Sequence, residues 1–333
     1  MASITGVLKQ QNIKIKSPDR EKEDTGSSLK GYLTTSIPVI VLILITVFFQ
    51  IVSDGRLLSG KNISALLNSM FSIVLGATGV AFLMAQGNLD FSLGGIVGLT
   101  AVLSGYAAEL NPVLSVLTGV LAGCACGFIN GIVHSRFHVS SIITTLSTAY
   151  IFRGIQCTLI TSGSVGLPAS MMKLENTTLK VVLIIIFFAV GAVLYNRTRF
   201  GKYCRAIGSR EEASYQSGIR ITRMKIGCFI LSGAIAGLVG FFYLVRAASA
   251  SANTGAGFEF DVLLALLLGG MPISGGAGAR FRTVLIGSLI MTILSNGMIL
   301  WGLDSVLQQF IRGIIFLVSV SISFDRRNVT VIE

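Results

Sequence analysis

Ten apolar segments joined by short loops make up most of this 333-residue chain, and they constrain its fold more than any other feature. Most of them approach the ~20 apolar residues that a helix needs to cross a bilayer. Only 12% of the residues are charged, against roughly 25% in a typical soluble domain. The sequence therefore predicts an all-α integral membrane protein with about ten transmembrane helices, because only helices and closed barrels satisfy their backbone groups in lipid. The expected spans are 33–52, 63–85, 91–108, 112–133, 139–161, 178–196, 224–245, 259–271, 283–300 and 304–324.

The distribution of basic residues predicts how these spans are oriented. With ten spans and a cytoplasmic start, 19 of the 26 Lys and Arg residues fall on the cytoplasmic side and five on the other. Cytoplasmic loops of membrane proteins carry such an excess. Both termini are therefore expected in the cytoplasm, and the net charge of +11 does not indicate a nucleic-acid partner. Residues 1–32 form a charged leader that we expect to be disordered, 33–325 the transmembrane domain, and 326–333 a cytoplasmic tail.

One strongly charged segment, Arg197–Lys225, separates the two apolar halves and contains eight basic residues. Such a cluster is expected to stay in the cytoplasm. Within it, the stretch Arg210–Ser217 has helix-forming residues and is followed by Gly218, a residue typical of a helix end. This pattern predicts a short helix on the cytoplasmic face. An ordinary basic loop that only fixes the topology is the alternative.

The two apolar halves share a pattern that predicts an internal repeat. Each contains an Asp, then Asn-Gly, then Arg-Gly-Ile, in the same order and with comparable spacing. The sets fall on spans three to five and eight to ten, which run in opposite directions, so the repeat would be inverted, as in many transporters. Chance recurrence of such short motifs is the alternative. The two sets are Asp90, Asn130 and Arg153, and Asp261, Asn296 and Arg312.

Ionisable residues inside membrane spans are candidates for function because their burial is costly. We expect Asp90 to cap the start of span three at the cytoplasmic face, with a role in function as the alternative. Glu259 and Asp261 are expected at the start of span eight. For Arg153 and Arg312 we expect pairing across helices. Substrate contact and extension of the side chain to the membrane interface are the alternatives.

The remaining motifs argue against catalysis by this chain. The glycine-rich run Gly269–Gly278 lacks the Gly-Lys-Ser/Thr ending of a phosphate-binding loop, so we interpret it as a tight cytoplasmic turn between closely packed helices. The five cysteines lack metal-ligand spacing, and no catalytic triad or carboxylate pair is evident. We therefore expect no enzymatic activity, no bound cofactor and no ATPase site.

Several motifs together resemble one family of transport proteins. Gly87–Gly94 is similar to the family's Gly-Gly-Ile-Asp-Leu-Ser-Val-Gly, Gly127–Gly131 to its Gly-x-x-Asn-Gly, and Ile142–Gly154 to its Val-Thr-Leu-Gly-Thr…Arg-Gly stretch. Glu212 to Gly218 resembles the Glu-Ala-Ala-x-x-x-Gly motif of ABC permeases. The chain is thus identified, over about 62–325, as resembling permease subunits of ABC importers of the ribose/xylose/galactose or autoinducer-2 type, which are related to branched-chain amino acid permeases.

This resemblance implies a mechanism. Two permease chains, identical or different, would form a pathway in the bacterial plasma (inner) membrane, and an extracytoplasmic solute-binding protein would deliver a small polar solute, most simply a monosaccharide. A separate cytoplasmic ATPase would bind the ATP and dock on a coupling segment, 197–225. The coupling residues implied are Arg210, Glu211, Glu212, Ala213 and Gly218.

Departures from the family pattern and rival functions leave alternatives open. The substitutions at Asn88, Ser147, 271–273 and 280–282 predict looser helix contacts around spans three, five and nine. They would fit a divergent substrate class or a chain that works only as half of a heterodimer. A branched-chain amino acid or nucleoside permease has the same expected fold. A stand-alone ion-coupled transporter would need carboxylates deep in the spans, whereas the aspartates are expected near span ends. A membrane scaffold would not account for the coupling motif or the repeat.

Overall fold

The computed structural model describes residues 37–161 and 163–323, and it is all-α apart from two three-residue strands within this part of the chain. Five of the described helices, which begin at Gly60, Pro112, Thr177, Ile221 and Arg282, are long and apolar enough to cross a membrane. The leader 1–32 and the tail 326–333 lie outside the described residues. The helices are α1 (Ile37–Val52), α2 (Gly60–Ala85), α3 (Leu93–Ala108), α4 (Pro112–Arg136), α5 (Ser141–Leu159), α6 (Thr177–Asn196), α7 (Arg199–Ser209), α8 (Glu211–Gln216), α9 (Ile221–Ala247), α10 (Phe258–Leu268), α11 (Arg282–Leu300) and α12 (Ser305–Ser323).

The core lies around α9, which packs against α2, α3 and α4. Helix α3 is buried over almost its whole length, and α2 is buried from Met70 to its end. These helices are apolar on all sides, which is the pattern of a helix enclosed by other helices. The α1, α4, α5, α6 and α12 helices instead expose large apolar side chains, as lipid-facing or partner-facing helices do.

A seam of glycines joins α4 to α9. Gly119, Gly123 and Gly127 recur every fourth residue on α4, so they lie on one face of the helix, opposite Gly233 and Gly237 of α9. A Cβ atom on four of these glycines would collide with a backbone carbonyl oxygen of the other helix, and one on Gly119 would collide with Ser104 Oγ of α3. Small residues at this spacing let membrane helices approach closely.

The segment between α9 and α10 folds back along α3. Strand β2 (Ser249–Ser251) pairs antiparallel with β1 (Ser164–Gly166) near the C-terminal half of α3. The chain then passes Gly98 and reaches Gly94, each of which has no room for a Cβ beside this segment. Helix α10 therefore begins next to the first turn of α3. Its 11 residues agree with the short eighth span that the sequence predicts.

The glycine-rich run after α10 forms a tight turn, as predicted. Its residues Gly270, Gly275 and Gly276 have positive φ angles, and the backbone N–H of Ala277 donates to Ser209 Oγ of α7 at 3.0 Å. The expectation of looser contacts is wrong for the third and ninth spans. Glycines of α3 and Gly287 of α11 still lie against neighbouring backbone, because these positions retained glycine despite the nearby substitutions.

Candidate functional site

The first candidate site is α8, which forms the short helix predicted between the two apolar halves. Gly218 has φ +81°, its N–H donates to Tyr215 O at 2.9 Å, and the N–H of Ile219 donates to Ser214 O at 3.1 Å. This pair of bonds is the Schellman motif, which ends a helix with a residue in the left-handed conformation. Glycine adopts that conformation without strain, so the sequence stops α8 at this point.

Most side chains of α8 are exposed. Arg210, at the N-cap position, and Glu212 and Ala213 face outward, whereas Ser214 is buried against the rest of the protein. Glu211 forms an ion pair with Lys225 of α9, with its two oxygens at 2.9 Å from Nζ. This contact fixes α8 to the end of a long core helix and leaves a charged face uncovered in the described part of the chain.

The second candidate site lies at the start of α3. Asp90 is only 1% exposed, and its Oδ1 accepts from Ser92 N at 2.9 Å and Ser92 Oγ at 2.6 Å. Its other oxygen accepts from Ser232 Oγ of α9 at 3.3 Å, and Asn130 Nδ2 donates to Ser92 Oγ at 2.7 Å. The predicted cap is therefore wrong in its position. Ser92 is the N-cap residue, and Asp90 lies in a buried network that includes the middle of α9.

The third candidate site contains both arginines that the sequence places inside spans. Arg312 Nη1 donates to Asp261 Oδ1 at 2.8 Å, and Nη2 donates to Ser295 Oγ at 3.2 Å. Arg153 Nη2 lies 3.5 Å from Glu259 Oε1. The predicted pairing across helices is confirmed for both, because α5 and α12 each place an arginine against the first turn of α10.

A cavity of about 500 Å³ lies beside these two pairs, between α5, α10 and α12. Its polar lining comes from Arg153, Glu259, Gln309 and Arg312. Aromatic rings complete the wall: Phe91, Tyr150 and Phe260. Clefts of this size and mixed lining commonly hold small ligands. The sequence predicts only that Glu259 lies at a helix start. The signal that could have indicated a shielded position is a second acidic residue, Asp261, two positions further along an apolar helix too short to span.

Asn296 lies apart from these sites. Its amide exchanges two hydrogen bonds with the amide of Asn62 in α2, at 2.7 and 3.1 Å. The structure thus brings Arg153 and Arg312 to one cavity and pairs Asp261 with Arg312. It joins Asp90 to Asn130 through Ser92, and it gives Asn296 a separate contact between α2 and α11.

Fold and candidate sites together define a multi-pass membrane protein with partly buried charge pairs and an exposed, charged connection between its halves. Comparison with known proteins identifies the class. Residues 62–320 match the family model described as branched-chain amino acid transport system / permease component. The chain is 30% identical over 320 residues to the ribose import permease protein RbsC of Bacillus subtilis, which covers 92% of this chain and 98% of that protein.

Two further relatives are also named as permease proteins. The L-arabinose ABC transporter permease protein AraH of Azospirillum brasilense is 31% identical over 304 residues, covering 88% of each chain. The autoinducer 2 import system permease protein LsrC of Yersinia enterocolitica is 30% identical over 275 residues, covering 80% of this chain and 76% of that protein. No solved structure matches the chain. The chain belongs to the family of ABC transport-system permease components.

Proposed function

We propose that the chain is the transmembrane permease subunit of a binding-protein-dependent ABC importer, and that its solute is a monosaccharide. Relatives named for ribose, arabinose and fructose import support the solute class. The observation that carries the mechanism is the exposed helix α8, which is fixed to α9 by Glu211 and stopped by Gly218. A partner bound there can pass motion to a core helix.

All ten predicted segments would cross or enter the membrane, in two inverted repeats with both termini in the bacterial cytoplasm. Supporting this layout, each predicted span overlaps one described helix. With ten spans, α3 would enter from the cytoplasmic side and α10 from the outside, and their first turns meet, with Phe91 and Phe260 ring centroids 6.0 Å apart. Interrupted helices whose N-termini meet inside the membrane are typical of inverted-repeat transporters.

The partners of the proposed importer occupy different faces. A cytoplasmic ATPase, which binds the ATP, docks on Arg210, Glu212 and Ala213 of α8. An extracytoplasmic solute-binding protein delivers the sugar on the opposite side. A second permease chain, identical or different, covers exposed apolar helices and completes the pathway.

The test is ATP-driven sugar uptake by vesicles containing the full importer. Gly218→Val should abolish uptake while leaving the protein folded and inserted in the membrane, because nothing lies within 4 Å of the added Cβ and the backbone strain is confined to the end of α8. Glu212→Lys should do the same by reversing an exposed charge at the docking face. Gly218→Asn is the matched control, since asparagine tolerates positive φ, and it should retain most uptake. Full uptake by Gly218→Val and Glu212→Lys would refute the coupling role.

Other transport functions make different predictions in the same vesicles. The family description names branched-chain amino acids, and uptake of leucine or a nucleoside instead of any sugar would favour that alternative. Uptake that persists without ATP and stops when the ion gradient collapses would indicate a stand-alone secondary transporter. Asp90 is buried and Asp261 is mostly shielded from solvent, so these carboxylates do not argue against ion coupling. Membership of the permease family does.

A further inference from the structure

The two charge pairs beside the cavity differ in quality. The Arg312–Asp261 distance of 2.8 Å is that of a charge-assisted hydrogen bond, and Ser295 holds the same guanidinium. The Arg153–Glu259 distance of 3.5 Å is longer than hydrogen bonds between such groups. Among the described residues, two buried atoms of these pairs have no hydrogen-bond partner: Arg312 Nε, and Glu259 Oε2, which lies beside Gly94 of α3. The second pair is therefore the weaker one, because its two groups lie too far apart for a direct charge-assisted hydrogen bond.

A hydroxyl group could complete this pair. It can accept a hydrogen bond from the guanidinium of Arg153 and donate one to the carboxylate of Glu259, because a hydroxyl is both donor and acceptor. The side chains of Arg153 and Glu259 are 32% and 13% exposed, so the pair is reachable from the cavity while mostly shielded from water. The amide of Gln309 offers further donor and acceptor groups in the same wall.

The balance of charge selects among polar ligands. Arg153, Glu259 and Arg312 line the cavity. Asp261 pairs with Arg312 from outside the lining, so each guanidinium is matched by one carboxylate. A phosphate or carboxylate ligand would need an unmatched cation, and Arg312 is already engaged by Asp261. A neutral ligand with several hydroxyl groups meets no such repulsion.

Aromatic rings give the cavity a second feature of sugar sites. Tyr150 is 77% exposed and Phe260 42% exposed in this chain, and both line the cavity with Phe91. Such rings provide flat apolar surface for the C–H face of a sugar ring, while a few polar groups fix its orientation.

We propose that this cavity is a stereospecific binding site for one neutral monosaccharide in each permease chain, with Arg153 and Glu259 as the residues that recognise its hydroxyl groups. The inference rests on the proposed transport function and assigns sugar selection partly to the permease. Arg312 and Asp261 hold α12 against α10 and shape the site.

The test uses the full chain in lipid nanodiscs, with no ATPase or binding protein, and measures thermal unfolding with neutral aldopentoses, aldohexoses and ketohexoses. Each sugar is compared with its enantiomer at the same concentration, because enantiomers have equal osmolyte effects and differ only in specific binding. We expect at least one enantiomeric pair to raise the unfolding temperature unequally. Equal shifts for every pair would overturn the proposal, as would a larger specific shift from ribose 5-phosphate or leucine.

Variants locate the binding. Glu259→Gln should weaken the stereospecific binding by about 10- to 100-fold, the effect of losing a hydrogen bond to a charged group. Glu109→Gln makes the same chemical change at an exposed position outside the cavity and should leave binding unchanged. Tyr150→Ala, which removes an exposed ring, should weaken binding about 2- to 10-fold and serves if Glu259→Gln does not fold. Wild-type binding by both cavity variants would refute the assignment.

Uptake by the full importer separates this inference from the proposed function. Stereospecific binding that depends on Glu259, without ATP-driven sugar uptake, would refute the importer and leave the sugar site standing. Sugar uptake without any stereospecific binding to the isolated chain would refute the site and leave the importer standing.

Discussion

The glycine seam between α4 and α9 allows a quantitative test of the packing. Replacing Gly123 or Gly233 with alanine adds one Cβ atom at the closest approach of the two helices. A Cβ on Gly123 would collide with the carbonyl oxygen of Gly233, and a Cβ on Gly233 with that of Gly123. Both obstacles are backbone atoms of long helices, so no side-chain rotation can relieve the collision.

The expected cost follows from this geometry. Ordinary Cβ contacts begin at 3.4 Å, so the helices must separate by roughly 1 Å along part of the seam. Overpacking of this kind costs ~1–3 kcal/mol, and the backbone obstacle favours the upper end. Alanine recovers up to ~1 kcal/mol through its higher helix propensity. Each substitution should therefore destabilise the protein by about 2 kcal/mol, and the double variant by less than the sum, because one separation relieves both collisions.

Unfolding of the purified chain in detergent, followed with a thiol-reactive dye, measures these changes. Cys126, Cys204 and Cys228 are buried and become reactive on unfolding, and the exposed Cys157 is replaced by serine in every protein compared. Gly154→Ala is the matched control, since nothing lies within 4 Å of its added Cβ, and it should be neutral or slightly stabilising. If Gly123→Ala and Gly233→Ala were as stable as Gly154→Ala, the close approach of α4 and α9 would be wrong.

The polar contacts give further predictions, all measured by the same unfolding assay. Arg312→Ala should lower the free energy of unfolding by about 2–3 kcal/mol, because it leaves the mostly shielded carboxylate of Asp261 unpaired. Adding Asp261→Asn should restore part of this loss, and strictly additive effects of the two changes would contradict the pairing. Arg153→Ala should lower the free energy of unfolding by less than Arg312→Ala, since the contact of Arg153 is longer and its side chain is more exposed. An equal or larger loss would contradict the difference between the pairs. Asn296→Leu should cost about 1–2 kcal/mol by removing the amide partner of Asn62, and an unchanged stability would show that this amide pair does not hold α2 to α11.

The sequence predicts the helices well because each needs only a local signal. Apolar length sets the helices, and Gly218 sets the end of α8, since the left-handed conformation there is strongly restricted for other residues. The short eighth span was also recognisable, because an apolar stretch between two polar boundaries gives its length directly. The sequence also predicts that Arg153 and Arg312 each pair with a group on another helix, because an unpaired charge in a membrane is costly.

The partners in these pairs depend on long-range packing and were not predictable. Arg153 and Glu259 are far apart in the sequence, and only the return of the 249–257 segment along α3 places Glu259 beside α5. The prediction that Asp90 is the N-cap residue of α3 is wrong for a similar reason. A capping residue and a buried network residue look alike in the sequence, and the difference depends on Ser232 of a distant helix.

The first turn of α10 connects the two halves of the molecule. Arg312 on α12 and Arg153 on α5 both pair with it, and each of these arginines begins an Arg-Gly-Ile motif in its own half of the sequence. Because the Arg312–Asp261 contact is shorter and supported by Ser295, α10 and α12 are the more firmly joined pair of helices. A movement that opens the cavity would therefore separate α5 from α10 first, by breaking the Arg153–Glu259 contact. That contact is also the one that a sugar hydroxyl would complete, so ligand binding and movement of α5 would act on the same two side chains.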